Sequence, residues 1–291
     1  MCRHAFIQCV YVSLIFLAAM PGLAQEPPKK APVPTADAQA EATKLIKEVY
    51  GGDYAKAKTS IQKQALVKKL LEKANDSKDD PASQYVLLRL ARDVATQASD
   101  GQTAFKTIDA MAESFQVDAT EMKLAVLTKL ATAAQKPAQH KSGSEEALKL
   151  VDQAIMQDNF TVADELGKLA LAEARKAVEK ELITQAQGRI TEVSELVKAY
   201  ENVKEAAEVL EKTPDDPEAN LAVGKYKCFV KGDWDKGLLM LALGKDETLK
   251  ALAKRELAGV ASSAEQAKLG DSWWNLAEKQ GARPFWKTGL A

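Results

Sequence analysis

Two residue types that could carry catalysis are almost missing from this 291-residue chain. Of its histidines only His140 lies beyond residue 24, in the polar run KPAQHKSG, where the sequence predicts a solvated loop residue. A Ser-His-Asp triad built on a core and an H-E-x-x-H zinc site are therefore both unavailable. Cys228 is likewise the single cysteine beyond residue 24, which excludes an intramolecular disulfide framework. Its helical spacing with Leu221, Gly224 and Phe229 marks a small buried hydrophobe rather than a nucleophile. The chain has no G-x-x-x-x-G-K-[ST], G-x-G-x-x-G, G-x-S-x-G or C-x-x-C. Carboxylates remain, because 41 acidic residues always offer pairs. Asp76, Asp79 and Asp80 lack the glycine and the distal glutamate of a calcium loop and read as a solvated turn and helix cap. Asn75-x-Ser77 and Asn159-x-Thr161 match the glycosylation acceptor, a short and cheap pattern. Nothing calls for a cofactor or a metal.

The constellation that invites a binding hypothesis is aromatic. Trp234, Trp273, Trp274 and Trp286, with Tyr226 and Phe229, crowd the C-terminal end. Such rings can stack on sugar or peptide, so Tyr226, Trp234, Trp273 and Trp274 form the candidate binding surface. The competing and favoured reading is that they fill interfaces between paired helices. Trp273 and Trp274 point about 100° apart on a helix, so one belongs to the core and the other to a seam or to solvent.

The elements that must position these rings are helices. Beyond a proline-rich stretch the chain is rich in Ala, Leu, Lys, Glu and Gln and poor in aromatics, Gly and Pro, which predicts an all-α fold. Asp216-Pro217 is a cap followed by proline at the first helical position. Gly232-Asp233 then breaks the chain, and Trp234 opens a second helix carrying Leu238, Leu241 and Ala242 on one face. This is a helical hairpin. A second opening of the same build follows at Ser262-x-x-Glu265, with Leu269-Gly270-x-x-Trp273 in its first helix and a missing or rudimentary partner. Paired helices with L-G-x-x-aromatic resemble the tetratricopeptide pattern, in which the glycine lets two helices approach closely.

Upstream, Gly51-Gly52-Asp53 divides a helix ending near Tyr50 from one carrying Val67, Leu70, Leu71 and Ala74. Asp80-Pro81 opens a third helix with Leu87, Ala91, Val94 and Ala95 on one face, and Asp100-Gly101 stops it. Ala104, Ile108, Met111 and Phe115 mark the fourth, and Asp118-x-x-Glu121 caps a fifth with Met122, Val126, Leu127, Leu130, Ala131 and Ala134 inward. Residues 37–136 thus make an N-terminal helical bundle, residues 137–143 a linker, and residues 144–281 a C-terminal helical-repeat domain before a tail at 282–291. Within the repeat domain, Val193, Leu196, Tyr200, Val203, Ala207 and Leu210 alternate three and four apart over fewer than three heptads, which favours packing on neighbouring helices over dimerisation. Three breaks share one design of tight turn, aromatic wedge and small residue one turn later: Gly52-Asp53-Tyr54-x-x-Ala57, Asp158-Asn159-Phe160-x-x-Ala163 and Gly232-Asp233-Trp234-x-x-Gly237. Their irregular spacing predicts a stack of helical hairpins with variable insertions, a tetratricopeptide-like α-solenoid.

Residues 1–24 read as a secretory signal: Arg3, an apolar run from Ile7 to Met20 that is short for a membrane span, then small residues before a cut after Ala24. Residues 25–36, with Pro27, Pro28, Pro32 and Pro34, predict an extended spacer. The mature protein should be secreted or periplasmic, with no membrane span. Interspersed charge, 40 basic against 41 acidic residues, gives no field for nucleic acid or an anionic membrane surface.

The run DDPEANLAVGKYKCFVKGDWDKGLLMLALG, Asp215 to Gly244, and LGDSWWNLAEKQ, Leu269 to Gln280, resemble a module of secreted helical-repeat proteins of planctomycete-type bacteria. The resemblance is close over about 65 residues and upstream holds in pattern only. It implies a cell-surface accessory role, since the module often precedes carbohydrate-associated, laminin-G-like or sulfatase-modifying-type domains, and it transfers no catalytic residue. The chain departs from that family in ending GARPFWKTGLA where a further helix rich in tyrosine and alanine is usual, which would leave the Trp273-Trp274 helix partly unpaired. The expected function is an exported, non-enzymatic helical-repeat protein mediating protein or polysaccharide contacts at the cell envelope. The alternative is a carboxylate-dependent polysaccharide-acting enzyme, or an accessory module of one.

Overall fold

Most helix starts are set by a side-chain oxygen that takes up the backbone N–H groups left unpaired in a first turn. Thr35, Thr59, Asp80, Asp100, Asp118, Asn159, Asp216, Asp233 and Asp246 all accept from an amide two or three residues on. The resulting structure, a computed structural model, describes residues 30–259 and 262–279. The proposed signal, residues 25–29 of the proline-rich stretch, the tail and Trp286 lie outside the described residues.

Among those residues the chain forms α1 (Ala36–Lys56), α2 (Ser60–Asp76), α3 (Pro81–Gln97), α4 (Gly101–Ser114), α5 (Ala119–Ala133), α6 (Pro137–Met156), α7 (Phe160–Ala177) and α8 (Lys180–Lys212). Then follow α9 (Pro217–Lys225), a π-helical turn (Tyr226–Val230), α10 (Trp234–Leu241), α11 (Glu247–Ala258) and α12 (Ser263–Lys279). Consecutive helices pack as hairpins, so the protein is an all-α stack of helical hairpins. Leu87, Ile108, Leu127, Leu166, Val223 and Trp273 are all buried, as their helix faces require.

The apolar residues form three main cores. The first joins α1 to α5 and the second joins α5 to α8. Phe105 of α4 packs against both. The third joins α9 to α12, and a smaller cluster around Ala206, Ala219 and Val223 seats α9 on α8. The α8 seam packs within the chain: Val193 and Leu196 are buried in the second core, and the Tyr200 ring lies 5.2 Å from Phe160 and 5.5 Å from Tyr226. Further along, Ala206 rather than Ala207 is the buried residue.

Three local expectations are corrected. Helix α1 does not stop at Tyr50 but runs through Gly51 and Gly52 to Lys56. A glycine costs a helix about 1 kcal/mol, and α1 is held elsewhere, by buried Ala42 and Ile46 and by Arg89, which donates to Gln39 and Thr43. The next helix starts at Thr59, whose backbone N–H is accepted by Gln62 while Thr59 Oγ1 accepts from Gln62 N–H. Tyr54 therefore ends a helix, whereas Phe160 and Trp234 begin theirs, so the repeated break holds at two of its three sites.

The second correction concerns residues 137–143. They are the first two turns of α6 and not a loop. Pro137 occupies the first turn, where no N–H is needed, and the Gln139 side chain accepts from the amides of Gln135 and Lys136. The buried face is polar or small: His140, Gly143, Ser144 and Ala147 recur at helical spacing, and an apolar count overlooks them. Third, the end of the proline-rich stretch is not a free spacer. Ala31 N–H donates to the Ser114 carbonyl, and its own carbonyl accepts from Gln116 N–H, both at 2.9 Å.

Candidate functional site

The aromatic candidates do not share a surface. Tyr226 and Trp273 are buried and Trp234 is half-buried, whereas Trp274 is 54% exposed. Trp234 meets Phe229 and Trp273 edge-on at 5.5 and 5.6 Å, and Trp273 Nε1 donates to Glu256. These rings are the interior of the third core. Tyr226 faces the other way. Its hydroxyl donates to Asp158, and Lys231 pairs with the same carboxylate at 2.9 Å, which clamps the π-helical turn onto the α6–α7 connection. Burial, and then the hydrogen bond to Asp158, push the Tyr226 hydroxyl well above the usual phenol range. Burial likewise pushes the Cys228 thiol up to about 12, so it stays protonated at neutral pH.

A concavity lies elsewhere among the described residues. A groove of about 700 Å³ runs along α5, with α4 on one side and α6 on the other. Its floor is the stripe Lys123, Leu127, Leu130 and Ala131 on one face of α5 at helical spacing, continued by Ala134 just past the helix end. Leu130, Ala131 and Ala134, expected inward, are only half-buried because this face opens into the groove instead of meeting another helix. Leu130 is held over Gly101, where a Cβ would lie 2.9 Å from its Cδ1. Phe105 supplies the α4 wall, and the small residues Ala138, Ser142 and Gly143 the α6 wall.

Charge in the groove is ordered. Lys123, almost buried, reaches Asp109 at 2.6 Å and sits 5.7 Å from the centre of the Phe105 ring. Glu146 takes Lys149 at 2.7 Å, and that hydrogen bond holds the Lys149 ammonium above its usual pKa. At the back, Glu173 of α7 is fully buried and satisfied by His140 Nδ1 at 2.7 Å and Lys176 Nζ at 2.9 Å. His140 is thus a helix residue hydrogen-bonded to a buried carboxylate, whose cationic partner is Lys176, and the expected loop histidine is corrected. Gly143 faces the same carboxylate: a Cβ there would lie in ordinary contact, 3.5 Å from Glu173 Oε2. Lys106 has no carboxylate partner among the described residues.

Asn159 caps α7 and donates its amide to Asp118, while Asn75 is exposed at the end of α2. Asp80 caps α3, and its hydrogen bonds from Ser83, side chain first and then backbone, hold its carboxyl below the usual range. Among the described residues no group of three or more His, Cys, Asp or Glu is placed to hold a metal ion, and no helix is long and apolar enough to cross a membrane. Comparison of the chain with family models, curated proteins and solved structures found no match.

Sequence reasoning missed the groove because it assigned the α5 stripe to the core. The available signal was the ratio of sizes along it: two leucines followed by two alanines, with alanine, serine and glycine facing them from α6.

Proposed function

We propose that this chain is an exported, non-enzymatic helical-repeat protein that makes protein or polysaccharide contacts at the cell envelope, and that the α5 groove is its binding surface. The observation that carries this reading is the pairing of every carboxylate lining the groove, Asp109, Glu146 and Glu173, with a cation of its own. Glycoside hydrolysis needs two carboxyl groups facing one another across the bond, roughly 5 to 9.5 Å apart, one of them protonated. Acids already committed to lysine or histidine serve packing and charge balance better than that task. Export rests on the N-terminal sequence alone.

The test is capture from envelope extract on immobilised full-length protein and on an Ala131→Arg variant, whose long side chain fills the groove from a half-buried helical position. Capture by the parent and loss in the variant is the expected result. Equal capture by both would overturn the groove as the binding surface, and release of reducing sugar from envelope polysaccharide would establish the enzymatic alternative.

A further inference from the structure

We infer that α9–α12 form a hinged module that swings away from the α6–α7 turn about the end of α8, and that the Asp158 carboxylate is the latch that holds it closed.

Two departures from regular backbone converge on that latch. Asp158 sits at φ 58°, the left-handed region, as do Ser99 and Val178 in the turns after α3 and α7. Glycine fits such a turn with less strain, but it would bring no carboxylate. Opposite Asp158 lies the π-helical turn. In an α-helix, side chains five residues apart point about 140° apart. Here Lys231 N–H donates to the Tyr226 carbonyl at 3.1 Å, a bond between residues i and i+5 that stacks the two. Both side chains therefore reach one acceptor. The Tyr226 hydroxyl donates to one Asp158 oxygen, while Lys231 Nζ lies 2.9 Å from the other and also donates to the Met156 carbonyl. Strained backbone persists where its surroundings over-determine it and clusters at switch regions, and here it stands on both sides of one contact.

The apolar hold on the module is small. Ala206, Ala219 and Val223 are the buried residues of its seat on α8, and Val230 packs against the second core. The buried residues of the third core all lie between Cys228 and Trp273, so undocking leaves that core intact. Buried Asn220 donates to the carbonyls of Pro214 and Asp216 and carries their turn along with α9. The pivot is then Lys212–Thr213, two exposed residues at the end of α8, the kind of position that absorbs a hinge motion. Asp158 and Lys231 are partly exposed, so water competes for the pair. Tyr226 is buried and cannot lose Asp158 in place without leaving its hydroxyl unpaired, which makes the latch all-or-none. Opening frees the Asp158 carboxylate and parts the Tyr226 ring from that of Tyr200, 5.5 Å away.

Hydroxyl-radical footprinting of the full-length protein, read by mass spectrometry, tests this through the exposure of single aromatic side chains. Asp158→Gly suits the turn and removes the acceptor. It should raise the open-to-closed ratio on the order of tenfold, the effect of losing a hydrogen bond to a charged group, and Tyr226 oxidation should rise severalfold. Asp158→Asn, which loses the charge and keeps an acceptor, should give a smaller rise. Phe115 in the first core and Trp273 in the third should keep the parent rate in both variants. Tyr226 oxidation that is unchanged or lowered in Asp158→Gly would reduce Asp158 to a turn residue and overturn the inference. A rise shared by Phe115 or Trp273 would overturn it too, because the contact would then belong to one cooperative unit without a hinge.

Discussion

Val178 holds φ 60° and ψ 30°, the left-handed region, in the turn between α7 and α8. For a β-branched residue that conformation costs about 1 to 2 kcal/mol. Val178 is 79% exposed, so no packing offsets the cost. Val178→Gly should therefore raise the melting temperature, with a net gain of up to about 1 kcal/mol after the larger entropy glycine loses on folding. A lower melting temperature would mean that the turn does not need the left-handed residue. Glu192 offers a pH-dependent counterpart. It is buried on α8 beside Arg189, which also reaches Asp152 of α6. Burial raises its carboxyl pKa, and Arg189 opposes the rise without cancelling it. The folded protein then holds this proton more tightly than the unfolded chain, so the stability from this group is complete below about 4.5 and is lost as pH rises through the folded pKa. Melting temperatures of Glu192→Gln should gain on those of the parent from pH 4 toward pH 7, and a constant difference across that range would refute the assignment. Neither residue could be found from the sequence. No Gly or Pro stands at Val178 to mark a turn, and Glu192 looks like any solvated acid until Arg189 and Asp152 are brought beside it.

At the scale of elements, legibility followed the apolar pattern. Helices whose buried faces are Leu, Ile, Val and Ala, such as α3 and α4, were readable, and so were starts marked by Asp-Pro or Asp-Gly. The start of α6 was not, because its packing face is His140, Gly143 and Ser144, polar or small residues whose partner is a buried glutamate. The π-helical turn after Lys225 was also invisible, since inserting one residue into a helix leaves no composition signal. The α9–α10 hairpin was readable in detail. At Gly224 a Cβ would lie 3.0 Å from the Leu241 backbone nitrogen and 3.0 Å from its Cδ2, a contact that must be relieved by moving the helices. Helix propensity favours alanine or leucine over glycine by somewhat under 1 kcal/mol, while overpacking at a close crossing costs about 1 to 3 kcal/mol. The second effect should win, so thermal melts are expected to fall from Gly224 to Ala to Leu. A gain in both variants would show that the two helices do not approach so closely in solution.

For the whole molecule the open question is where, if anywhere, the stack divides. The sequence suggested a cut at residues 137–143, and the cores suggest otherwise. Leu124 and Leu127 of α5 belong to the α5–α8 core while Val126 belongs to the α1–α5 core, so α5 is a shared wall. Asp118 at the start of α5 also accepts from Asn159 at the start of α7, tying the two sets of helices by a polar bond. A fragment ending at Lys136 would leave Leu124 and Leu127 facing water, at about 1.5 to 3 kcal/mol each. Set against a typical domain stability of about 5 to 15 kcal/mol, that loss is large. A fragment ending at Lys212 keeps both cores and gives up only the seat of α9 and the π-helical turn on the earlier helices. Calorimetry should therefore show a cooperative transition for the longer fragment and a lowered or absent one for the shorter, with dye binding revealing the bared leucines. A shorter fragment that melts cooperatively at the parent temperature would establish the N-terminal bundle as an independent domain and reduce α5 from a shared wall to a boundary.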